Sequence, residues 1–269
     1  MKLAVISDIH GNIVALRAAL AEIERAGADR LLVLGDLFGP GHAQDILAEL
    51  RGHDALIIRG NGEGYHLDNR AGKFGDMWAR YDQFAATREI YEQLAPADFR
   101  WLAALPCQIS LCWEGVSLRM THGSPKADSD SLNVTRPRAL RRALRLCDET
   151  IILCGHAHKF MLKQFGKRYI CNAGSVGENF DPAFTADVTF ITVHGGDIAF
   201  EQRRVPYDLK ERRRAAGGSI YSRLSLRAAE TGKNLFMEFL SEATRRGGWP
   251  VPNEIWNGLF EEWQEAGFV

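Results

Sequence analysis

The chain predicts an α/β fold of the sandwich kind, two mixed β-sheets flanked by helices, and three observations point there. Short apolar runs bounded by glycine alternate with helical periodicities in the N-terminal part, the pattern of βαβ units and parallel sheet. Farther on, paired apolar segments flank Glu114-Gly115, Gly166-Lys167 and Gly195-Gly196-Asp197, which read as hairpins and so as antiparallel or mixed sheet. Polar side chains capable of holding metals end several of the runs, as expected where ligands gather outside the carboxyl ends of strands.

The first strand is Lys2-Leu-Ala-Val-Ile-Ser7, too short an apolar run for a signal peptide. Ile13 to Ile23 repeats apolar residues at helical spacing, with Asn12 as N-cap and Gly27 beyond the end. Strands at Arg30–Leu34 and Ala55–Arg59 enclose a helix near Ala43 to Leu50. From Glu63 to Pro106 the pattern turns helical: Arg80 to Leu94 is periodic, and Pro96 opens another helix at a favourable first-turn position. This stretch, 63–106, is read as a helical insert in a core of residues 1–206. Gln108–Trp113 and Val116–Thr121 form a hairpin, Arg136–Arg145 is a helix with five arginines, and Thr150–Cys154 is a buried strand. Residues 207–269 are helical and charged, an extension expected to pack on the core. Trp249, Trp256 and Trp263 recur there at seven-residue spacing, and Ile255, Trp256, Leu259, Phe260 and Trp263 make an apolar stripe. The stripe suits packing inside this chain, or a homo-oligomer formed through these helices.

Of the 269 residues, 46% are hydrophobic and 25% charged, ordinary for a globular protein, and the formal net charge of -1 gives no overall attraction to nucleic acid or a membrane. The five cysteines form no Cys-x-x-Cys pair and are odd in number, against a disulfide framework or a zinc ribbon. With no run of membrane-spanning length, a cytoplasmic location is expected.

Five segments end in ligand-type residues: Asp8-Ile9-His10, Gly35-Asp36, Gly60-Asn61, Thr121-His122-Gly123 and Gly155-His156-Ala157-His158. One such segment is weak, because a lone Asp-x-His is common and a single histidine is usually a hydrogen-bonded structural residue. Five at predicted strand ends supply donors for two adjacent metal ions, and crowding so many acceptors together without cations would cost repulsion and desolvation. Nitrogen and oxygen donors without thiolate favour Mn, Fe, Zn, Co or Ni over Ca or Mg.

In this order the segments resemble the signature of the calcineurin-like metallophosphoesterase superfamily. Ser7-Asp-Ile-His-Gly-Asn12, Gly35-Asp-Leu-Phe-Gly-Pro-Gly41, His122-Gly-Ser-Pro125, Gly155-His-Ala-His158 and Asn172-Ala-Gly-Ser-Val-Gly177 are similar to its small prokaryotic phosphodiesterase branch. The resemblance spans about residues 2–206 and implies the same two-sheet architecture and a binuclear centre. Asp36 would bridge two divalent transition-metal ions, Mn first among them. Asp8, His10 and His158 would complete one site, and Asn61, His122 and His156 the other. Asp36, Asn61 and His122 would then be the catalytic residues, with metal-bound hydroxide attacking a phosphodiester or nucleotide phosphoanhydride. The expected partner is a phosphorylated small molecule or nucleotide.

Two features depart from the family pattern or extend it. Where relatives carry His or Cys after Gly-Asn, this chain has Gly62, so a leaving-group acid must come from elsewhere or be absent; His66 and Tyr65 are the candidates, while Glu63 keeps the acidic position that can orient a ligand. Asn12 and Gly62 are expected to face the substrate. In the Arg-rich helix, Arg138, Arg141 and Arg142 either grip a remote phosphate or form a solvated face; it lacks the interleaved aromatics that stack bases. Rival readings are a phosphomonoesterase, including a protein phosphatase, and a noncatalytic interaction module like the retromer scaffold subunit.

Overall fold

The computed structural model describes residues 1–179, 184–216 and 218–269. Their strands form two mixed five-stranded sheets. In the first, β1 (Lys2–Ile6), β2 (Arg30–Val33) and β3 (Ala55–Ile57) run parallel; β9 (Thr185–His194) pairs antiparallel with β1, and β10 (Asp197–Pro206) lies outside it. In the second, β5 (Val116–Thr121), β6 (Ile151–Cys154) and β8 (Arg168–Ala173) run parallel, edged by antiparallel β4 (Gln108–Trp113) and β7 (Phe160–Phe165).

Period-two alternation explains why the sheets stack. Leu3 and Val5 point between the sheets, where they join Leu32, Leu34, Leu118, Met120 and Leu153. Their neighbours Ala4 and Ile6 face the other way, into a core shared with α1 (Ile13–Arg25) and α2 (Ala43–Arg51). On the far side Ile152, Cys154 and Ile170 meet Leu140 and Ala143 of α7 (Pro137–Leu146). The layers are therefore helix, sheet, sheet, helix. Burying each such leucine contributes about 1.5 to 3 kcal/mol, which holds β1 and β2 as a fixed shelf for the loops at their ends.

The insert contains α3 (Asn61–Arg70), α4 (Met77–Arg80), α5 (Ala85–Gln93) and α6 (Pro96–Ala104). The single helix expected over Arg80 to Leu94 is broken, with Tyr81 extended (φ -107°, ψ 135°) and a 3₁₀ turn at Asp82–Phe84. Side chains satisfy the break. The Arg88 guanidinium donates to the carbonyls of Trp78 and Tyr81, and Asn253 Oδ1 accepts the Asp82 N–H.

The C-terminal helices are α8 (Leu209–Ala215), α9 (Ile220–Thr231), α10 (Leu235–Gly247) and α11 (Asn253–Glu265). They have a core of their own: Leu224, Leu235, Phe239, Ala243, Val251, Trp256, Leu259 and Phe260. Trp256 and Trp263 set their edges against Phe239 at centroid distances of 4.8 and 5.3 Å. Trp249, outside the stripe, precedes α11, is 56% exposed and meets Phe84 of the insert edge-on. The extension also joins the insert through Gln83 Oε1, which accepts the Val251 N–H, and Asp82, which accepts from Asn257 Nδ2. Among the described residues no helix is long and apolar enough to cross a membrane.

Candidate metal centre

The loops after the parallel strands of both sheets bring the ligand-type side chains into two groups. Asp8, His10 and His158 form one, and Asp36, His122 and His156 the other, each with its ligand atoms within 4.8 Å of one another. One oxygen faces both: Asp36 Oδ2 lies 3.3 Å from His122 Nε2 and 3.8 Å from His10 Nε2. In the first group His158 Nε2 is 3.1 Å from His10 Nε2 and 3.2 Å from Asp8 Oδ1. In the second, Asn61 Oδ1 lies 3.0 Å from His122 Nε2. A protonated His122 donates its Nε2–H to that amide oxygen, so a cation that displaced the proton would find both atoms at hand.

Each ligand atom is aimed by a neighbour. His122 Nδ1–H donates to the Leu34 carbonyl (2.7 Å) and His158 Nδ1–H to that of Glu178 (2.8 Å), which turns both Nε2 atoms toward the carboxylates. Asp8 Oδ2 accepts the His156 N–H and Asp36 Oδ1 accepts the Gly62 N–H, leaving the other oxygen of each facing the groups. Glu63, fully buried, accepts the N–H groups of Asp36, Leu37 and Gly60 at 2.8 to 2.9 Å. It clamps two of the ligand loops together. Gly60 permits this approach, since a Cβ there would lie 2.1 Å from Asp36 Oδ1.

Strain marks the same place. Among the described residues, the non-glycine positions with positive φ are Asp8, His10, Asp36, His156 and His158, besides Glu114 in the β4–β5 hairpin. Such backbone costs energy for side chains with a Cβ and persists where the surroundings over-determine it, which is typical of functional sites.

The donors fit divalent cations. Asp8 Oδ1 is sealed from solvent and makes no hydrogen bond, a cost a native fold avoids unless something else meets that oxygen. Burial pushes the Asp36 carboxyl up, but His122 and His10 outweigh it and hold the pKa at about 2; Asp8 is likewise held well below its usual range, chiefly by His158 and His122 against burial. Conversely, burial pulls His10 down while Glu178, Asp8 and Asp36 raise it to about 9, and His122 is raised against burial to about 10 by Asp36 and Asp8. Protonated imidazoles here supply the positive charge that the carboxylates require.

Other expected site residues are placed differently. Asn12, expected to face the substrate, is buried: its Oδ1 caps α1 at Ala15 and its Nδ2 donates to the Gly177 carbonyl. His66 is 3% exposed between the edges of Phe38 and Trp78, and burial lowers its pKa to about 4. Burial in this aromatic pocket favours the neutral imidazole. Tyr65, half exposed, instead has its hydroxyl beside the Asn61 side chain. Gly62 stands at the centre through its N–H alone. Arg138 and Arg141 occupy the solvent side of α7, and Arg142 pairs with Asp130 at 2.9 Å. Asp130 also accepts Ser124 Oγ–H, so Arg142 braces the loop that follows His122.

Sequence reasoning missed the rim. Glu178, just past the Asn172–Gly177 loop, directs its carboxylate to the His10 side and accepts Tyr221 O–H at 2.6 Å and Ser225 Oγ–H at 2.8 Å, both from α9. The extension therefore reaches the centre. No spacing signal joins residues 43 and 47 apart in the chain; only the Glu in the loop was visible.

Comparison with known proteins bears on the family and the fold. Residues 1–197 match the family model of the calcineurin-like phosphoesterase superfamily domain, and the chain belongs to that family. The Methanocaldococcus jannaschii protein called "Uncharacterized protein MJ0912" is 27% identical over 232 residues, 78% of this chain and 89% of its own length. The crystal structure of a metallophosphoesterase from Sphaerobacter thermophilus is similar with a TM-score of 0.66 and 23% identity, covering 87% of this chain and 100% of that one. A hypothetical protein, PH1004 from Pyrococcus horikoshii OT3, gives 0.66 at 19% identity over 96% and 97%. At these identities the likeness shows the fold, and the second match extends it into the C-terminal helices.

Proposed function

We propose that this chain is a two-metal phosphoesterase acting on phosphodiester or nucleotide phosphoanhydride bonds. The observation that carries the reading is the meeting of two ligand groups at one Asp36 oxygen, beside a sealed Asp8 Oδ1 that three imidazoles surround without a hydrogen bond. Asp8, His10 and His158 would hold one cation, Asn61, His122 and His156 the other, and Asp36 both. Two such ions activate a water and neutralise the attacking and leaving oxygens of an in-line phosphoryl displacement.

The chain's own residues set the rest. Glu63 fixes the Asp36 and Asn61 loops, and the Leu34 and Glu178 carbonyls hold two imidazoles in the tautomer that presents Nε2. At position 62 only a backbone N–H is present, and it is engaged by Asp36. With no acid there, a leaving group that departs as a stable anion is favoured, such as the phosphate of an anhydride or the aryl oxygen of an activated diester. Alkyl leaving groups need a proton. The donor set of imidazole, carboxylate and amide suits Mn, Fe, Zn, Co or Ni.

The test is metal analysis followed by hydrolysis of bis(p-nitrophenyl) phosphate and a dinucleoside polyphosphate, with Mn and after chelation. Hydrolysis that disappears with chelation and returns with Mn supports the reading. Two tightly held metals with no hydrolysis of any diester, anhydride or monoester would replace it with a noncatalytic binding module.

A further inference from the structure

The first helix of the extension lies over the site loops: α8 packs on α1, and the Ala215 carbonyl at its end meets His42 Nε2 at 3.0 Å. On that helix Arg212 is only 7% exposed. A buried guanidinium needs partners for its five N–H donors. Among the described residues Arg212 makes no side-chain hydrogen bond or ion pair, although the Glu178 carboxylate and the phenols of Tyr207 and Tyr221 are near enough to act on its charge. Glu178 already accepts from Tyr221 and Ser225 and acts on His10. Glu178 ties this cluster to the first ligand group, since its own carbonyl meets His158 Nδ1 at 2.8 Å and its carboxylate meets the Tyr221 hydroxyl at 2.6 Å.

Charge balance points to what is missing. The two phenols are uncharged and the Glu178 carboxylate already accepts two hydrogen bonds, so the Arg212 guanidinium has no hydrogen-bonded counter-ion of its own. An anion is the partner that such a group binds best, because a guanidinium fork matches phosphate oxygens in pairs.

We propose that Arg212 is the gripping residue of a second anion subsite beside the metal centre, taking a phosphate of the substrate other than the one cleaved. This rests on the phosphoesterase reading and narrows it to substrates carrying at least two phosphates, as in nucleotide anhydrides. The role that the sequence suggested for the arginines of α7 falls instead to an arginine of the extension.

Binding rather than turnover tests the subsite. The Mn-loaded full-length chain is titrated calorimetrically, at one fixed Mn concentration, with inorganic phosphate and with methylenediphosphonate, a non-hydrolysable pair of linked phosphonates. R212A and R212Q are compared with wild type; the second keeps most of the side-chain volume should the first not fold. Methylenediphosphonate affinity falls about tenfold to a hundredfold, the worth of charge-assisted hydrogen bonds, while phosphate affinity stays within about twofold, and R212K recovers part of the loss. Unchanged methylenediphosphonate affinity in R212Q, or equal losses for both ligands, would overturn the proposal. Because the ligands are not hydrolysed, an inactive enzyme would count against the phosphoesterase reading and leave this result interpretable.

Discussion

Asp8, Asp36 and His122 form a floor: they sit at strand ends, are nearly sealed from solvent, and have their donor atoms aimed by backbone groups. Glu178, Tyr221 and Arg212 form a rim drawn from a loop and two helices of the extension, in which Tyr221 hydrogen-bonds Glu178 and the Glu178 carboxylate acts on the charge of Arg212. The floor is over-determined, held by two sheets and by strained backbone that only dense packing sustains. The rim is held by few groups, and its Arg212 has no hydrogen-bonded counter-ion of its own.

Substitutions should separate the two, and the floor should fail hardest. In Gly60→Ala the added carbon would stand 2.1 Å from Asp36 Oδ1, so the metal loops must move. Loss of at least about 10²-fold in kcat/KM is expected, since small misplacements of catalytic groups cost that much, along with weaker metal retention on dialysis. Near-normal values would show that the floor is less rigid than described.

Glu63→Gln comes next. An amide has one acceptor oxygen where the carboxylate uses two for three N–H groups, so at least one buried donor loses its partner. About 1 to 3 kcal/mol of stability should disappear, read from denaturant midpoints of the metal-loaded protein. An unchanged midpoint would mean water replaces the clamp.

Acid–base linkage gives a third test, confined to the metal-free protein. His10 and His122 have folded pKa values of about 9 and about 10, raised from 6.5. Their charged pairs therefore stabilise the fold fully below about pH 6.5, and that stabilisation is lost as the pH rises through 9 to 10. Metal ions must displace those protons, so metal affinity should climb over the same range. Thermal melts of chelated protein should fall from pH 6.5 to 10, whereas Mn-loaded protein should not follow that slope. Parallel curves would contradict the charge assignment.

The smallest effect belongs to the rim. Tyr221→Phe removes one donor to Glu178 while Ser225 keeps the other. Turnover of a small diester should change by less than about tenfold, the range of a single hydrogen bond. A collapse as deep as that of Gly60→Ala would erase the distinction between floor and rim.

The floor was legible in sequence because its signals are local. A strand period ending in Asp-x-His or Gly-Asp places a side chain at a sheet's carboxyl edge before any packing is known. The rim was not legible, since Tyr221 and Arg212 matter only once α8 and α9 fold back over the loops. Two other features were hidden for that reason. His66 looked available as an acid by its spacing from Asn61, but Phe38 and Trp78 enclose it. The helix break at Tyr81 depends on Asn253, 171 residues from its partner Asp82. Trp249 keeps the seven-residue rhythm of the tryptophans but precedes α11, which carries the whole predicted stripe from Ile255 to Trp263.

The central claim is that one carboxylate holds both ligand groups together. Metal content of Asp36→Asn after equilibrium dialysis against Mn, measured by plasma mass spectrometry beside wild type, tests it most directly. The account predicts two equivalents in wild type and weakened retention at both sites in the variant, with hydrolysis of bis(p-nitrophenyl) phosphate nearly abolished. A variant that still binds two ions with wild-type affinity and hydrolyses the diester normally would contradict it.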